Sequence, residues 1–573
     1  MTIFFFILLF LPAVCAIPVY FLCKCKNKEN LHALFAVSFV CLFLALFLYS
    51  NSINCSISLG NLKLNFKTDP LRNLYAVVSS LLWSVTAFFS PPYFAHEEKL
   101  SRYRMFALFT LSASLGVFFA ADLLTAFFFF EMLSFASFPL VAQEENDLSL
   151  SAGKTYLFTS VLGGMLILLG LMKLYPIFQN FDLQFMAEKA QSLDKSTLFF
   201  PSLLVMLGFG AKAGLFPLNS WLPKAHPAAP APASALLSGL LTKVGVFGIF
   251  FITFPLFLGF LPWGNVLLVL SLITMAVGAL LALFSTNIKR TLACSSMSQI
   301  GFIMFGVSMQ VMLNEESAIA FTGTVMHLLN HSLIKLLLFL IAGWLYMLTH
   351  SLNFNDLKGV GRKRPLLALC FLVGALSISG VPGFSGYISK TLLHESILEY
   401  IHLLHGHNTF WLVLAEKVFV VSGGLTFAYM TKLFVCIFLE KPERIIDTKP
   451  VSETKISIII SALFLLPLGL FPYALFNPLA QNALKFLSPE AIIPAVDYFA
   501  TINLLGTGKS LLIGAIVYIA FVNTRLIKKQ GRIYLDKTPK YIQIENIVKP
   551  AFEKLKQVSL IGFEKAHEFA EKL

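Results

Sequence analysis

Charge is scarce in this 573-residue chain. Charged residues make up 13% of it against 57% hydrophobic residues, and mean hydropathy is +0.78. A water-soluble domain of this size needs a more polar surface, so the composition excludes an ordinary soluble enzyme and makes lipid the solvent. Alternating apolar stretches of the kind a membrane β-barrel requires are missing, because the apolar runs are continuous. The eight cysteines are scattered, and only Cys23 and Cys25 are close; this excludes a disulfide scaffold and leaves a C-x-C pair too weak to indicate a metal. There is no C-x-x-C, no Gly-x-Ser-x-Gly elbow and no ligand set for haem or an iron–sulfur cluster. NLLGTGKS, Asn503–Ser510, ends like a Walker A loop, but the first glycine of that motif falls on Asn503, so the match fails. His402, His405 and His407 in HLLHGH read as a solvated turn. The net charge of +13 has no basic stripe interleaved with aromatics, so no nucleic acid is expected. No cofactor and no metal site are expected.

What is present is a succession of apolar runs of the roughly 20 residues that cross a bilayer as helix. They predict about fifteen spans: Thr2–Leu22, Leu31–Ser50, Leu71–Phe94, Tyr103–Ala121, Asp122–Ala142, Lys154–Ile177, Leu198–Pro217, Ser234–Phe260, Asn265–Ser285, Thr291–Leu313, Ala318–Thr349, Pro365–His394, Phe410–Leu439, Lys455–Phe476 and Thr501–Asn523. The first lacks a charged leader and reads as a retained span rather than a signal peptide. Loops after odd-numbered spans carry CKCKNKEN, EEKLSRYR, NIKR, KGVGRKR and RLIKKQGR, with QEENDLSL the exception. The positive-inside rule then puts the N-terminus outside and the C-terminal tail in the cytoplasm. Tyr541–Leu573 repeats apolar residues at helical spacing among Lys and Glu, which suits a helix on lipid headgroups or a docking helix for a partner subunit.

Ionisable groups at membrane depth are costly and mark functional positions. Glu131 stands in FFFFEMLSF, Lys212 in GFGAKAGLF, Lys243 in GLLTKVGVF and Lys390 in GVPGFSGYISK. His327, His331 and Lys335 follow one another at i, i+4 and i+8 along one helix. Such a stripe can hand protons along, because imidazole both donates and accepts near neutral pH. A metal pair and a packed polar stripe are the other readings of it. Burial disfavours a charged ammonium and a nearby carboxylate favours it, so a lysine with a movable acidic partner can load and unload a proton. Glu131 is the acid placed to partner Lys212; a fixed ion pair locking two helices is the alternative.

Two of these lysines sit beside helix breakers. Lys212 is followed by Gly214, Pro217 and Pro223, and Lys390 is preceded by Gly380, Pro382, Gly383 and Gly386. Breaks at corresponding places in two halves suggest internal repeats with ion sites near mid-membrane, although Pro and Gly are also common in membrane helices generally.

The strings GAKAGLFPLNSWLPKAHPAAPAPASALLSGLLTKVG, STNIKRTLACSSMSQIGF, HLLNHSLIKLLLFLIAG and GVPGFSGYISK resemble the antiporter-like membrane subunits of respiratory complex I. That family extends to subunits of membrane-bound hydrogenases and of Mrp-type cation/proton antiporters. The resemblance runs from about Leu71 to Leu439, and WLPKAHPAAPAPASALLSG is closer to hydrogenase-linked and Mrp-type members. It implies an all-α polytopic membrane protein with about 14–15 transmembrane helices in two inverted five-helix repeats, each with a broken helix. It implies Glu131 and Lys212 as the first pair and Lys243 as the bridging lysine. His327 and His331 would link the half-channels, with Lys335 on their helix and Lys390 as the terminal lysine. The amphipathic tail stands where the largest complex I subunit carries a lateral helix and one more span.

The expected organisation is N-terminal helices at 1–102, a first repeat at 103–260, a second at 261–440, further spans at 441–525 and a cytoplasmic tail at 526–573. The expected function is translocation of protons, with Na+ exchange left open, as one membrane subunit of a redox-driven complex such as an NADH:quinone oxidoreductase or hydrogenase. A multisubunit Na+/H+ antiporter without redox partner and a structural scaffold are the alternatives. The expected partners are other membrane subunits and the lipid bilayer, in a bacterial or archaeal cytoplasmic membrane.

Overall fold

The computed structural model describes residues 1–25, 33–60, 62–95, 99–405, 409–442, 452–486, 492–493, 495–528 and 530–539. The chain opens with α1 (Thr2–Cys25) and α2 (Ala33–Leu48), then a hairpin of β1 (Asn54–Leu59) and β2 (Leu62–Lys67). Next come α3 (Pro70–Tyr93), α4 (Leu100–Phe118), α5 (Leu123–Val141), α6 (Asp147–Phe178), the short α7 (Leu183–Ala190) and α8 (Lys195–Ala213). Short helices α9 (Leu222–Ala228) and α10 (Ala231–Leu236) lead through a π turn into α11 (Thr242–Phe257). The second half holds α12 (Leu261–Phe284), α13 (Ile288–Leu313), α14 (Ala318–Thr349), the single turn α15 (Phe354–Leu357), α16 (Pro365–Ser379) and α17 (Ser385–Leu403). It continues with α18 (Phe410–Phe434), α19 (Ser452–Leu470), α20 (Asn477–Leu484) and α21 (Thr501–Ile516), and ends on a small hairpin, β3 (Ile527–Lys528) and β4 (Ile533–Tyr534).

The protein is an all-α polytopic membrane protein. Among the described residues, twelve helices are long and apolar enough to cross a membrane. Each of the fifteen predicted spans has a helical counterpart, but not all reach that standard. α2 and α16 are apolar yet only 16 and 15 residues long. α4 carries Arg102 and Arg104, and α17 carries Lys390, His394, Glu395 and Glu399. The predicted span Pro365–His394 is two helices, because the chain turns left-handed at Gly380 (φ 78°) and only then starts α17.

Burial sorts the helices. The apolar central parts of the Ala231–Phe257 and Ile288–Glu316 stretches are wholly enclosed by protein, whereas only 11% of that of Thr501–Leu526 is. Helices apolar on all sides belong at the centre of such a bundle; Lys243 sits on one of these two stretches, while Lys212, His327, His331 and Lys335 are buried on partly enclosed helices. The β1–β2 hairpin was not anticipated. Its signal is the Gly60-Asn61 pair between LeuX-type alternating segments, with Leu59 paired to Leu62 and Gly60 at φ 62°. Asn65 of β2 donates to Asp122, the N-cap of α5, at 2.9 Å, so the hairpin braces the helix that carries Glu131.

Residues 527–528 and 530–539 pack back on the body. Tyr534 and Arg532 both donate to Glu440 (2.6 and 2.8 Å), Lys358 donates to the Gly531 carbonyl (2.9 Å), and Arg290 meets Asp536 at 3.3 Å. The predicted tail helix, Tyr541–Leu573, lies outside the described residues, as does His407.

Candidate proton-relay site

α8 stops because Gly214 adopts φ 83° and Pro217 follows. That places Lys212 in the last helical turn, where the macrodipole favours a cation. Its ammonium donates to three hydroxyls: Tyr156 (2.7 Å), Ser160 (3.2 Å) and Ser134 (3.3 Å). It also stands 4.4 Å from the Tyr156 ring centroid. Ser134 lies one turn beyond Glu131 on α5, and Tyr156 and Ser160 are one turn apart on α6, so three helices converge on one amine. Glu131 is half-buried, is not in ion-pair contact with Lys212, and its Oε1 is buried with no hydrogen-bond partner. The carboxylate fits only because residue 164 is glycine: a β-carbon there would collide with Glu131 Oε1. α6 and α8 touch through Gly163 and Gly208, where a β-carbon on Gly163 would stand 2.7 Å from the Gly208 carbonyl. Trp221, beyond the break, donates to the Ala211 carbonyl at 2.8 Å and fixes the broken end.

Deeper in, Lys243 is fully buried and donates to the Ser238 carbonyl (2.6 Å) and to His331 Nδ1 (2.8 Å). The carbonyl of Ser238 lies in the π turn, one of the places where the regular helical ladder is interrupted. His331 Nε2 is buried without a partner. One turn earlier on α14, His327 bonds Gln299 (3.1 Å) through Nε2 and Ser389 (2.9 Å) through Nδ1, and Ser389 adjoins Lys390. Lys335 branches away, donating to the Leu292 carbonyl and to Ser295, both at 2.9 Å; Ser295 also accepts from Tyr429 at 2.9 Å. The stripe along α14 is therefore divided: His327 and His331 continue toward Lys390, and Lys335 turns toward α13.

Lys390 is carried by α17 but reaches back across the second break. Its ammonium donates to the Ile378 carbonyl (2.8 Å) and lies 4.6 Å from the centre of the Phe302 ring. Ile378 is two residues before Gly380, just as Lys212 is two residues before Gly214. Both amines thus sit at the C-terminal end of a half-helix closed by a left-handed glycine.

Several contributors were not anticipated from sequence. Tyr156, Ser134 and Ser160 are common in membrane helices and carry no pattern of their own. His226, in the AHPAAP segment after the first break, is fully buried with both ring nitrogens unpartnered, and stacks on Phe339 at 4.8 Å. Its charged neighbours are Lys243, Lys289 and Lys335. Lys289 donates to the Ala229 carbonyl at 2.8 Å, and Lys432 to the Leu283 and Ser285 carbonyls at 2.5 and 2.7 Å, so these two buried lysines cap chain turns. Glu416, in FWLVLAEKVFVV, is a second acid in an apolar run, and that run was itself the available signal.

Buried lysines and histidines between two glycine-closed breaks in an all-helical bundle mark a multi-pass, antiporter-like membrane protein. The chain belongs to the NADH:quinone oxidoreductase/Mrp antiporter transmembrane family, whose profile matches residues 120–419. It is 31% identical over 414 residues to Hydrogenase-4 component B of Escherichia coli, covering 70% of this chain and 61% of that one. It is also 31% identical over 453 residues to Na(+)/H(+) antiporter subunit A1 of Staphylococcus aureus, covering 75% of this chain and 55% of that one. Among solved structures, the Mrp complex from Dietzia sp. DQ12-45-1b shares the fold at a TM-score of 0.84 and 19% identity, covering 97% of this chain and 60% of that one. The chain thus spans little more than half the length of these relatives, and its structural neighbour is part of a multisubunit membrane complex.

Proposed function

We propose that this chain translocates protons as one membrane subunit of a redox-driven complex. One observation supports this above the rest: Lys243, His331, His327, Ser389 and Lys390 follow one another in a buried line, through hydrogen bonds of 2.8 Å (Lys243–His331) and 2.9 Å (His327–Ser389) and one helical turn. Each member can hold or pass a proton, and removing them from water makes sense only if their polarity is used. Glu131 and Lys212 form the first half-site. The carboxylate, out of ion-pair contact, and the hydroxyl-held amine match one state of a pair that exchanges a proton by moving together and apart. His226 lies beyond Trp221, whose ring is 5.0 Å from that of Tyr156 and 6.4 Å from that of His226, and has Lys243 among its charged neighbours. Lys335 is a side branch toward Ser295, and Lys390 is the terminal carrier.

We read the two breaks as equivalent parts of two inverted repeats, with the N-terminus outside and the tail in the cytoplasm of a prokaryotic cell. Electrons are handled by partner subunits. Exchange of Na+ is the second reading, favoured by the Na(+)/H(+) antiporter relative. The test is Lys243→Met in the assembled complex, with proton uptake into inverted membrane vesicles measured with and without Na+. We expect a loss of about tenfold or more. Uptake at the unaltered rate would refute the relay, and activity that depends strictly on Na+ would move the assignment to exchange.

A further inference from the structure

Beyond Lys390 the buried line continues in groups that nothing so far assigns. A cavity of about 40 Å³ opens beside the Lys390 ammonium, lined by Gly380, Phe302, His394, Gly506, Thr507 and Ser510. That volume holds about two or three waters. His394, one turn beyond Lys390 on α17, forms a 2.9 Å hydrogen bond through Nε2 to Glu416 of α18. Its other ring nitrogen faces Gly506 of α21: a β-carbon there would stand 3.8 Å from Nδ1. The pair is less enclosed than the relay, with His394 17% and Glu416 25% exposed, against 8% for Lys390. Glu416 is six residues from the start of α18, about 9 Å at 1.5 Å per residue, so it lies nearer the membrane surface than Lys390 does.

We infer that His394 and Glu416 form the proton-exchange site at the surface end of the second half-channel. This rests on the translocation reading above and adds its outlet. Lys390 gives one proton to water in the cavity, and the water passes one to His394 Nδ1. The imidazolium releases its Nε2 proton to the Glu416 carboxylate, from which it leaves on the side where α17 ends and α18 begins; a ring flip restores the starting tautomer. The charged groups around the pair suit release. Lys417 on the same helix and Lys509 on α21 act on Glu416, and Glu395 adjoins His394 on α17. α21 is the outer wall, held against α18 where Gly424 meets Gly514 and where Ser510 donates to the Val420 carbonyl at 2.9 Å.

The experiment compares four variants in the full complex, each quantified in the membrane before proton uptake is measured. Glu416→Gln keeps the hydrogen bond to His394 and loses only the exchangeable proton. His394→Gln removes the imidazole. Gly506→Val fills the cavity and changes no titratable group. Glu416→Asp is the conservative rescue. We expect the first three to fall at least about fivefold and Glu416→Asp to keep more than half the rate. Lys390→Met is run beside them. If Lys390→Met stops uptake while Glu416→Gln, His394→Gln and Gly506→Val stay within twofold, the outlet assignment is wrong and the relay stands. If Lys390→Met itself leaves uptake unchanged, the translocation reading falls first.

Discussion

The two broken helices solve one problem with opposite parts of the chain. At the first break the lysine belongs to the half-helix that ends: Lys212 is two residues before Gly214. At the second it belongs to the half-helix that begins: Lys390 lies ten residues after Gly380 and reaches back to the Ile378 carbonyl. Both ammoniums end up at a helix C-terminus and over an aromatic ring, at 4.4 Å for Tyr156 and 4.6 Å for Phe302. Their other partners differ. Lys212 is held by three hydroxyls, one of them a turn along α5 from the Glu131 carboxylate; Lys390 has a bare carbonyl and an open cavity. On the proposed relay, the first site controls the charge on its amine and the second lets the proton leave.

That contrast is broken most directly by removing each amine in turn. Lys212→Met and Lys390→Met should each lower proton uptake by about tenfold or more, and the double variant should be no worse than the poorer single one, as expected of groups acting in series. If each single variant halves the rate and the double abolishes it, the halves are independent channels and the connecting line through His331 and His327 carries nothing. Immunoblotting of the complex in the membrane separates lost transport from lost assembly.

How much of this was legible beforehand follows from what each contact is made of. Lys212, Lys243, His327, His331, Lys335 and Lys390 stood out because ionisable residues in apolar runs are rare, and all six are buried. The breaks were legible from Gly and Pro. The hydroxyl cage was not, since Ser134 comes from α5 while Tyr156 and Ser160 come from α6, which meets α8 closely at Gly163 and Gly208. Glu416 was not singled out, although its apolar run FWLVLAEKVFVV carried the same kind of signal as that of Glu131. The division of the α14 stripe was also hidden: spacing puts Lys335 near the face of His327 and His331, while its carbonyl partner, Leu292, belongs to another helix.

Glu131→Gln should cost less than losing an amine, about three- to tenfold, because Lys212 keeps its three hydroxyls and loses only its movable countercharge. A variant without measurable effect would make Glu131 a structural acid and leave the first half-site no better equipped than the second. Gly164→Ala reaches the same carboxylate from the other side. The added methyl collides with Glu131 Oε1, and the flexible carboxylate is what gives way. Uptake should fall about two- to fivefold with the amount of assembled complex unchanged. A loss of assembly instead would mean that the backbone of α6 yields rather than the carboxylate, and that this glycine serves packing alone.

The aromatic rings give the finest comparison, since they are what the two sites share. Tyr156→Phe removes the hydroxyl 2.7 Å from the Lys212 amine and keeps the ring beneath it. Ser160 and Ser134 remain at 3.2 and 3.3 Å, so the amine is still partnered. Two hydrogen bonds go, the one to the ammonium and a 2.5 Å contact with Ser137, the remaining serines make up part of the loss at the amine, and the ring attraction survives. We expect uptake to fall about two- to threefold. Tyr156→Leu takes the ring as well and should fall further. At the second site Phe302→Leu removes a ring with no hydroxyl to lose. If the ring matters equally at both amines, Phe302→Leu should match the extra step from Tyr156→Phe to Tyr156→Leu. A Phe302→Leu effect well beyond that step would show that Lys390, with one carbonyl for company, depends on its ring more than Lys212 does.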